Sequence, residues 1–465
     1  MPLLETLQKF DLKKILKTAL AHGGDFADLY AEEMETTQII SEDHKIDTAY
    51  TGRDRGVGLR VLHNFKTAHG FTNDISEKSL LRLAHSVAHA VKEKKILQDI
   101  HIHPVPPPLQ HRIQQPPKDK DLQTKLKYIH QAEAVGWKLS PLIKQVKVLY
   151  ADIHKDVVMI NSLGEVTHDT RVYTLFYTQI VTAEDGRLQT GYHPVGGLVG
   201  LELLEQEPPE MIARKAALQA LLMLKARKAP GGAMPVVISS EAGGTMIHEA
   251  VGHGLEADLA CEGLSVYHNK LGQEIASPLV SVLDDATIPN KRGSFVFDDE
   301  GVAAQKTVLI EKGVLKNYMF DRRYSLREKT SSTGNGRRES FRKPPIVRMT
   351  NTMIAPGKTP PEDIIRSTEK GLFVKKMGGG QVNTVNGDFV FEVQEGYLID
   401  KGKMGDPVRG AVLTGNGLHV LKIIDKVGKD LGFAIGTCGK DGQGVPVGDA
   451  QPTIRIPELT VGGEV

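Results

Sequence analysis

Cysteine is nearly absent from this chain: its 465 residues contain two, Cys261 and Cys438. That excludes a disulfide framework, and free thiols belong most simply in a reducing compartment, so a cytoplasmic location is expected. No apolar run approaches the roughly 18–20 residues that span a bilayer. The first residues lack the basic start, apolar stretch and small-residue cleavage site of a secretion signal. Charge of one sign is also missing. The 58 basic residues face 57 acidic ones, for a net charge of +1, which gives no electrostatic case for nucleic acid or a membrane surface as partner. No fixed-period internal repeat is present.

What is present describes a globular protein of two or three domains, 40% hydrophobic and 25% charged. Leu12, Ile15, Leu16 and Leu20 follow helical spacing behind a candidate cap, Asp11. Short β-type runs follow at 26–33, 37–41, 56–62 and 67–72, in the manner of an antiparallel meander. A helix is predicted from Ser76 to about Lys95. Six prolines between 101 and 119 block helix and central strand alike, which reads as an extended connector rather than a polyproline ligand. A helix over 122–139 and strands over 146–154, 157–162 and 166–182 complete an α+β first domain. The glycine-rich 191–200 marks a boundary, so the predicted domains are 1–190 and 191–465. After a helix over 210–228, the second domain reads as many short strands, including 293–298, 307–310, 314–320, 389–393 and 396–399. This is an α+β fold whose large β-rich C-terminal domain is barrel-like or sandwich-like and carries one central helix.

That helix contains His248-Glu249-Ala250-Val251-Gly252-His253, preceded by a buried-strand pattern over 235–240. Two imidazoles with a carboxylate beside the first suggest a metal site with its own base. In the familiar His-Glu-x-x-His pattern the rings lie four residues apart and share a helix face. Here they lie five apart, about 140° around a regular helix, and so diverge. One metal can be shared only if the helix opens or forms a π-type turn, which Gly252 and Gly254 would permit. Zinc catalysis usually takes three protein ligands and an open position. Glu256, Asp258, Cys261 and the distant Cys438 are candidates for the third, and spacing does not choose among them. A second cluster, Arg322, Arg323, Arg327, Arg337, Arg338 and Arg342 around 331–336, reads either as a loop over the site that contacts substrate or as a solvated basic surface.

These motifs, taken in order, resemble the TldD/PmbA family of zinc metallopeptidases, and most closely its TldD branch. The resemblance is carried by residues 244–258, Phe297-Asp298-Asp299-Glu300-Gly301, 332–340, Arg348-Met349-Thr350-Asn351-Thr352, Asp388-Phe389-Val390-Phe391, and 436–443 through Gln451-Pro452-Thr453. It implies one Zn2+ per chain on His248, His253 and Cys438, with Glu249 as general base toward a metal-activated water, and it leaves Cys261 a structural role. Asn335, Arg337 and Arg338 become candidate substrate contacts. It also implies unfolded or extended peptides as substrates and a PmbA/TldE-like subunit as heterodimer partner. The alternatives are a non-catalytic zinc-containing regulatory subunit, as in the family's association with gyrase modulation, and a small-molecule amidohydrolase. One geometric expectation follows from the spacing itself: the helix around Val251-Gly252-His253 should be π-bulged or unwound.

Overall fold

The computed structural model describes residues 3–91 and 99–463. Its N-terminal half is built on one antiparallel sheet in the spatial order Lys66–Thr72, Lys45–His63, Phe26–Glu42, Ile143–Asn161, Glu165–Glu184, Arg187–Gly197. The separate runs expected at 26–33 and 37–41 form one strand, as do those at 146–154 and 157–162. The partner strand Lys45–His63 is far longer than the 56–62 run, because its first half is a polar, exposed ribbon without alternating hydrophobicity. Backbone pairing to Phe26–Glu42 carries that ribbon instead.

One face of the sheet is covered by helices. Leu12–Ala19 and Glu77–Ala88 pack over Leu29, Leu59 and Ile160, while Leu122–Lys138 and Pro209–Lys225 pack over Val148, Phe176 and Ile180. Three of these helices begin at side-chain caps: Asp11, Ser76 and Asp121 accept from the backbone N–H groups of Lys14, Ser79 and Thr124. The expected end of the second helix near Lys95 lies outside the described residues. The proline-rich connector runs extended, and His103–Pro104 adds to the sheet edge beside Glu165 and Val166. The strand Arg187–Gly197 and the helix Pro209–Lys225 both belong to this half. The physical boundary therefore falls after Lys225 rather than at 190/191, because the glycines of 191–197 sit within a strand instead of a linker.

The opposite face of the sheet presents Tyr30, Val157 and Met159, which pack against Phe297 and Phe341 of the C-terminal half. That half contains a five-stranded closed ring. Gly232–Ile238 pairs with Ile454–Gly462, then Val412–Asn416, Asp388–Asp400 and Lys370–Val382, which returns to Gly232–Ile238. A second sheet runs Val314–Leu315, Lys306–Glu311, Val282–Asp285, Asn351–Ile354, Gln443–Gln451, Gly432–Lys440. Residues 293–298 do not form the strand expected there. The backbone N–H groups of Val296 and Phe297 turn to the Asp169 carboxylate instead of to a neighbouring strand. The expected strand over 314–320 shortens to Val314–Leu315. The segment after Gly232–Ile238 is clamped between barrel and second sheet, with Met246, Ile247, Val251 and Leu255 buried among Leu372, Leu413, Met349 and Val445.

Candidate metal centre

The central motif leaves the barrel through a short turn, Ser240–Ala242, and Gly243, whose φ of 67° suits glycine. One helical turn, Thr245–Ile247, then passes into a π-helical turn over His248–Gly252, closed by a hydrogen bond from the His253 N–H to the His248 carbonyl. An i to i+5 bond widens the turn, so residues five apart lie one above the other. The two rings stand 5.1 Å apart at 90°. The distortion inferred from the spacing is present, but the glycines serve it differently from the expectation. Gly252 has helical dihedrals (φ −54°, ψ −57°), and a Cβ there would sit 2.0 Å from the Met349 sulfur. At Gly254 a Cβ would meet the Tyr267 ring at 2.6 Å. Both glycines are required by close packing rather than by backbone freedom.

Cys438 arrives on the hairpin formed by Gly432–Lys440 and Gln443–Gln451. Its sulfur lies 3.2 Å from His248 Nε2 and 3.3 Å from His253 Nε2. One ligand atom from each of the three residues falls within a 4.8 Å cluster. Burial alone would push the Cys438 thiol up; hydrogen bonds and charge from the two imidazoles outweigh it and bring the thiol down to about 5. Cys261 is half-buried elsewhere, its thiol pushed up to about 11 chiefly by burial, and it takes no part in the cluster. Glu256 and Asp258 are not part of it either. Glu256 accepts from His253 Nδ1 at 3.0 Å and from Lys440 Nζ at 2.8 Å, and Lys440 also pairs with Asp258 at 2.6 Å. Burial would raise the Glu256 carboxyl, yet Lys440 and His253 hold it at about 2. This chain of contacts turns His253 Nε2 toward the sulfur and ties the hairpin to the motif. Burial raises the Glu249 carboxyl, which makes no hydrogen bond or ion pair among the described residues. Two imidazoles and a thiolate of low pKa form a borderline-soft donor set that fits zinc better than magnesium or calcium.

The arginine cluster divides. Arg342 and Arg327 form outer ion pairs with Asp54 and Glu262. Asn335, Arg337 and Arg338 are buried and do not form a loop over the site. Asn335 spends its amide on Asp284 and the Arg348 carbonyl, at 2.8 and 2.9 Å, and accepts from Thr333. Its hydrogen-bonding capacity is used by the framework, which leaves little for a substrate. Arg337 donates to the carbonyls of Met349 and Pro446, both at 2.6 Å, and so fixes the residue packed on Gly252. Arg348, which the sequence placed in a family block without a role, donates to the carbonyls of Cys438 and Gln443 and holds both strands of the Cys438 hairpin. Lys440 was also missed as a site residue. Its signal was the spacing Cys438-Gly439-Lys440, which on a strand puts both side chains on one face.

Comparison with known proteins matches three family models along the chain: PmbA/TldA metallopeptidase domain 1 over residues 27–91, the central domain over 115–224 and the C-terminal domain over 231–463. The chain is 36% identical over 448 residues to the metalloprotease TldD homolog of Haemophilus influenzae, covering 94% of this chain and 93% of that protein. It is 28% identical over 458 residues to the zinc metalloprotease TldD homolog of Saccharolobus solfataricus, covering 97% and 100%. The crystal structure of TldE from Thermococcus kodakarensis shares the fold, with a TM-score of 0.73 at 17% identity over 97% of this chain and 100% of that one.

Proposed function

Because the chain belongs to the PmbA/TldD metallopeptidase family, we propose that it is a zinc-dependent peptidase cleaving unfolded or extended peptides, with Glu249 as general base. The observation that carries this reading is the convergence of His248, His253 and Cys438 with a free carboxylate on the adjacent residue. A purely structural site has no use for that carboxylate. When bound, zinc supplies Lewis acidity toward a peptide carbonyl and activates water at neutral pH. The protein's own contributions are separable. His248, His253 and the Cys438 thiolate hold the ion. Glu256, itself held by Lys440, fixes the tautomer and direction of His253. Glu249 takes a proton from water and returns it to the leaving amine, a task that its raised pKa suits. An extended peptide can add main-chain hydrogen bonds along an exposed strand edge, which gives affinity without side-chain selectivity.

A TldE-like subunit is the partner we propose, on the strength of the family resemblance. Co-expression with such a chain and sizing of the product tests it; two chains that elute apart at micromolar concentration would rule it out. The catalytic reading is tested by Glu249→Gln, with zinc content measured alongside hydrolysis of an unfolded peptide mixture. Zinc should be retained while turnover falls by about two to four orders of magnitude. Retained zinc with unchanged turnover would refute Glu249 as general base and sink the peptidase reading as stated.

A further inference from the structure

Between the N-terminal sheet and the hairpin that carries Cys438 lies a cavity of about 240 Å³. Its lining includes five cations: Lys155 and Arg171 from the sheet, and Arg292, Arg337 and Arg338 from the C-terminal half. The acidic residues of the lining are Asp299 and the exposed Glu339. Two of the cations are neutralised. Lys155 pairs with Glu32 at 2.7 Å, and Arg171 with Asp169 and Asp299 at 2.9 and 2.8 Å. Arg292 and Arg337 have no carboxylate partner among the described residues. Arg337 is spent on two backbone carbonyls, and Arg292 reaches only the Gly436 carbonyl at 3.2 Å and the Thr437 hydroxyl at 3.5 Å. Burial pushes both guanidiniums below the usual arginine range.

Arg338 is the third, and its state points to a ligand. It is 2% exposed, yet its Nε and Nη1 have no hydrogen-bond acceptor. Its Nη2 donates to the Asp299 carbonyl at 3.0 Å. Its Nη2 also pairs at 3.8 Å with Asp28 Oδ1, an oxygen without a hydrogen bond, while Arg60 holds Oδ2, and the Tyr30 ring lies 4.4 Å from the guanidinium. Buried donors without acceptors and buried cations without anions both cost stability, and one bound anion relieves both.

We propose that this cavity is a binding site for a carboxylate, carried either by a small dicarboxylic acid or by the free end of a peptide. Guanidinium groups suit a carboxylate through paired, parallel N–H donors. The rest of the wall, Met34, Ile153, Tyr173 and Pro446, gives apolar contact for the hydrocarbon next to such a group, which inorganic phosphate would not use. The site is distinct from the metal centre. Thr437 pairs with Pro446 and Cys438 with Val445, and side chains alternate along a strand. Thr437 and Pro446 therefore face the cavity from the side of the hairpin opposite to the Cys438 sulfur. The inference does not rest on the peptidase reading, because its test measures binding alone.

The probes are glutarate with glutaramide, N-acetylalanine with N-acetylalaninamide, and inorganic phosphate, each titrated calorimetrically into the full chain and into Arg292→Gln. At least one acid should bind tenfold or more tightly than its amide, and this preference should drop about tenfold in Arg292→Gln. Glutarate as the better ligand identifies a free metabolite, and N-acetylalanine a peptide end. The acid–amide comparison in the unaltered protein stands even if the variant folds poorly. Equal binding of acids and amides, or phosphate binding above both acids, would overturn the proposal. So would full acid preference in a folded Arg292→Gln, since that places the carboxylate away from Arg292 and this cavity.

Discussion

Replacing Gly252 by alanine distinguishes two accounts of the π-helical turn by the sign of the effect. Were Gly252 present only to let the helix distort, Ala would cost nothing sterically, since the backbone is already helical at φ −54° and ψ −57°. It would then stabilise by up to about 1 kcal/mol through helix propensity. The packing makes the opposite prediction. The new methyl would overlap the Met349 sulfur at 2.0 Å, with the flanking Cε and Cγ at 3.1 and 3.3 Å. Met349 is fully buried and its carbonyl is fixed by Arg337, so its side chain can yield only by repacking a filled core. Overpacking of this kind costs about 1–3 kcal/mol, which exceeds the propensity gain. Part of the strain should displace the adjacent His253 and weaken the metal. The assay is thermal unfolding together with zinc affinity from chelator competition, on Gly252→Ala, Met349→Ala and the double variant. Met349→Ala alone should cost about 2–5 kcal/mol as a cavity. In the double variant the new methyl falls into that cavity, so its loss should be smaller than the two single losses together by about 1–3 kcal/mol. An unchanged or raised melting temperature for Gly252→Ala, or strictly additive losses, would refute the packing argument.

Two further outcomes follow from the contacts around the site. Glu256→Gln removes the charge that orients His253 and leaves Lys440 with Asp258 alone; zinc affinity in chelator competition should fall about 10- to 100-fold with the three ligands intact. Unchanged affinity would mean that His253 is oriented by packing alone. His69 is driven down to about 4, first by burial and then by the charge of Arg338. The unfolded chain takes up this proton below about pH 6.5 while the folded chain resists it until about pH 4. Stability present above pH 6.5 should therefore be lost as the pH falls through that window, by roughly 3 kcal/mol. His69→Gln should flatten this part of the stability–pH curve, and an identical curve would show that the ring titrates normally.

The parts of the protein legible in its sequence are those fixed within a few residues. Asp11 could be read as a cap and Ser76 as the start of a helix because a cap acts three residues ahead of itself. The π turn could be inferred because the requirement that two rings meet at a spacing of five has few helical solutions. The polar ribbon of Lys45–His63 was not legible, since its pairing comes from a partner strand and its side chains carry no buried face. Spacing could not choose Cys438 over Cys261. That choice depends on the parallel pairing of Asn351–Ile354 with Gln443–Gln451, which sets the height of the ligand hairpin across about a hundred residues of chain. The burial of Arg337 and Arg338 was hidden for a related reason. Their partners are backbone carbonyls and distant carboxylates, which leave no periodic trace.

Buried cations bonded to carbonyls are an expensive way to hold a loop, and their placement indicates what the fold has to hold still. Arg337 and Arg348 are each about 1% exposed or less, and neither is paired with a carboxylate among the described residues. Between them they grip the carbonyls of Met349, Pro446, Cys438 and Gln443. Met349 backs the π turn, and the other three belong to the ligand hairpin. These are the two pieces of chain that must meet for a sulfur and two imidazoles to converge. Hydrophobic contact alone would allow the hairpin to slide, because apolar burial is not directional. Charged donors on specific carbonyls fix its height and rotation. Lys440 adds a third tie, from the hairpin through Glu256 to His253 itself. The sulfur and the two imidazoles are therefore brought together by the protein frame, and a metal ion bound there would have little ordering left to do.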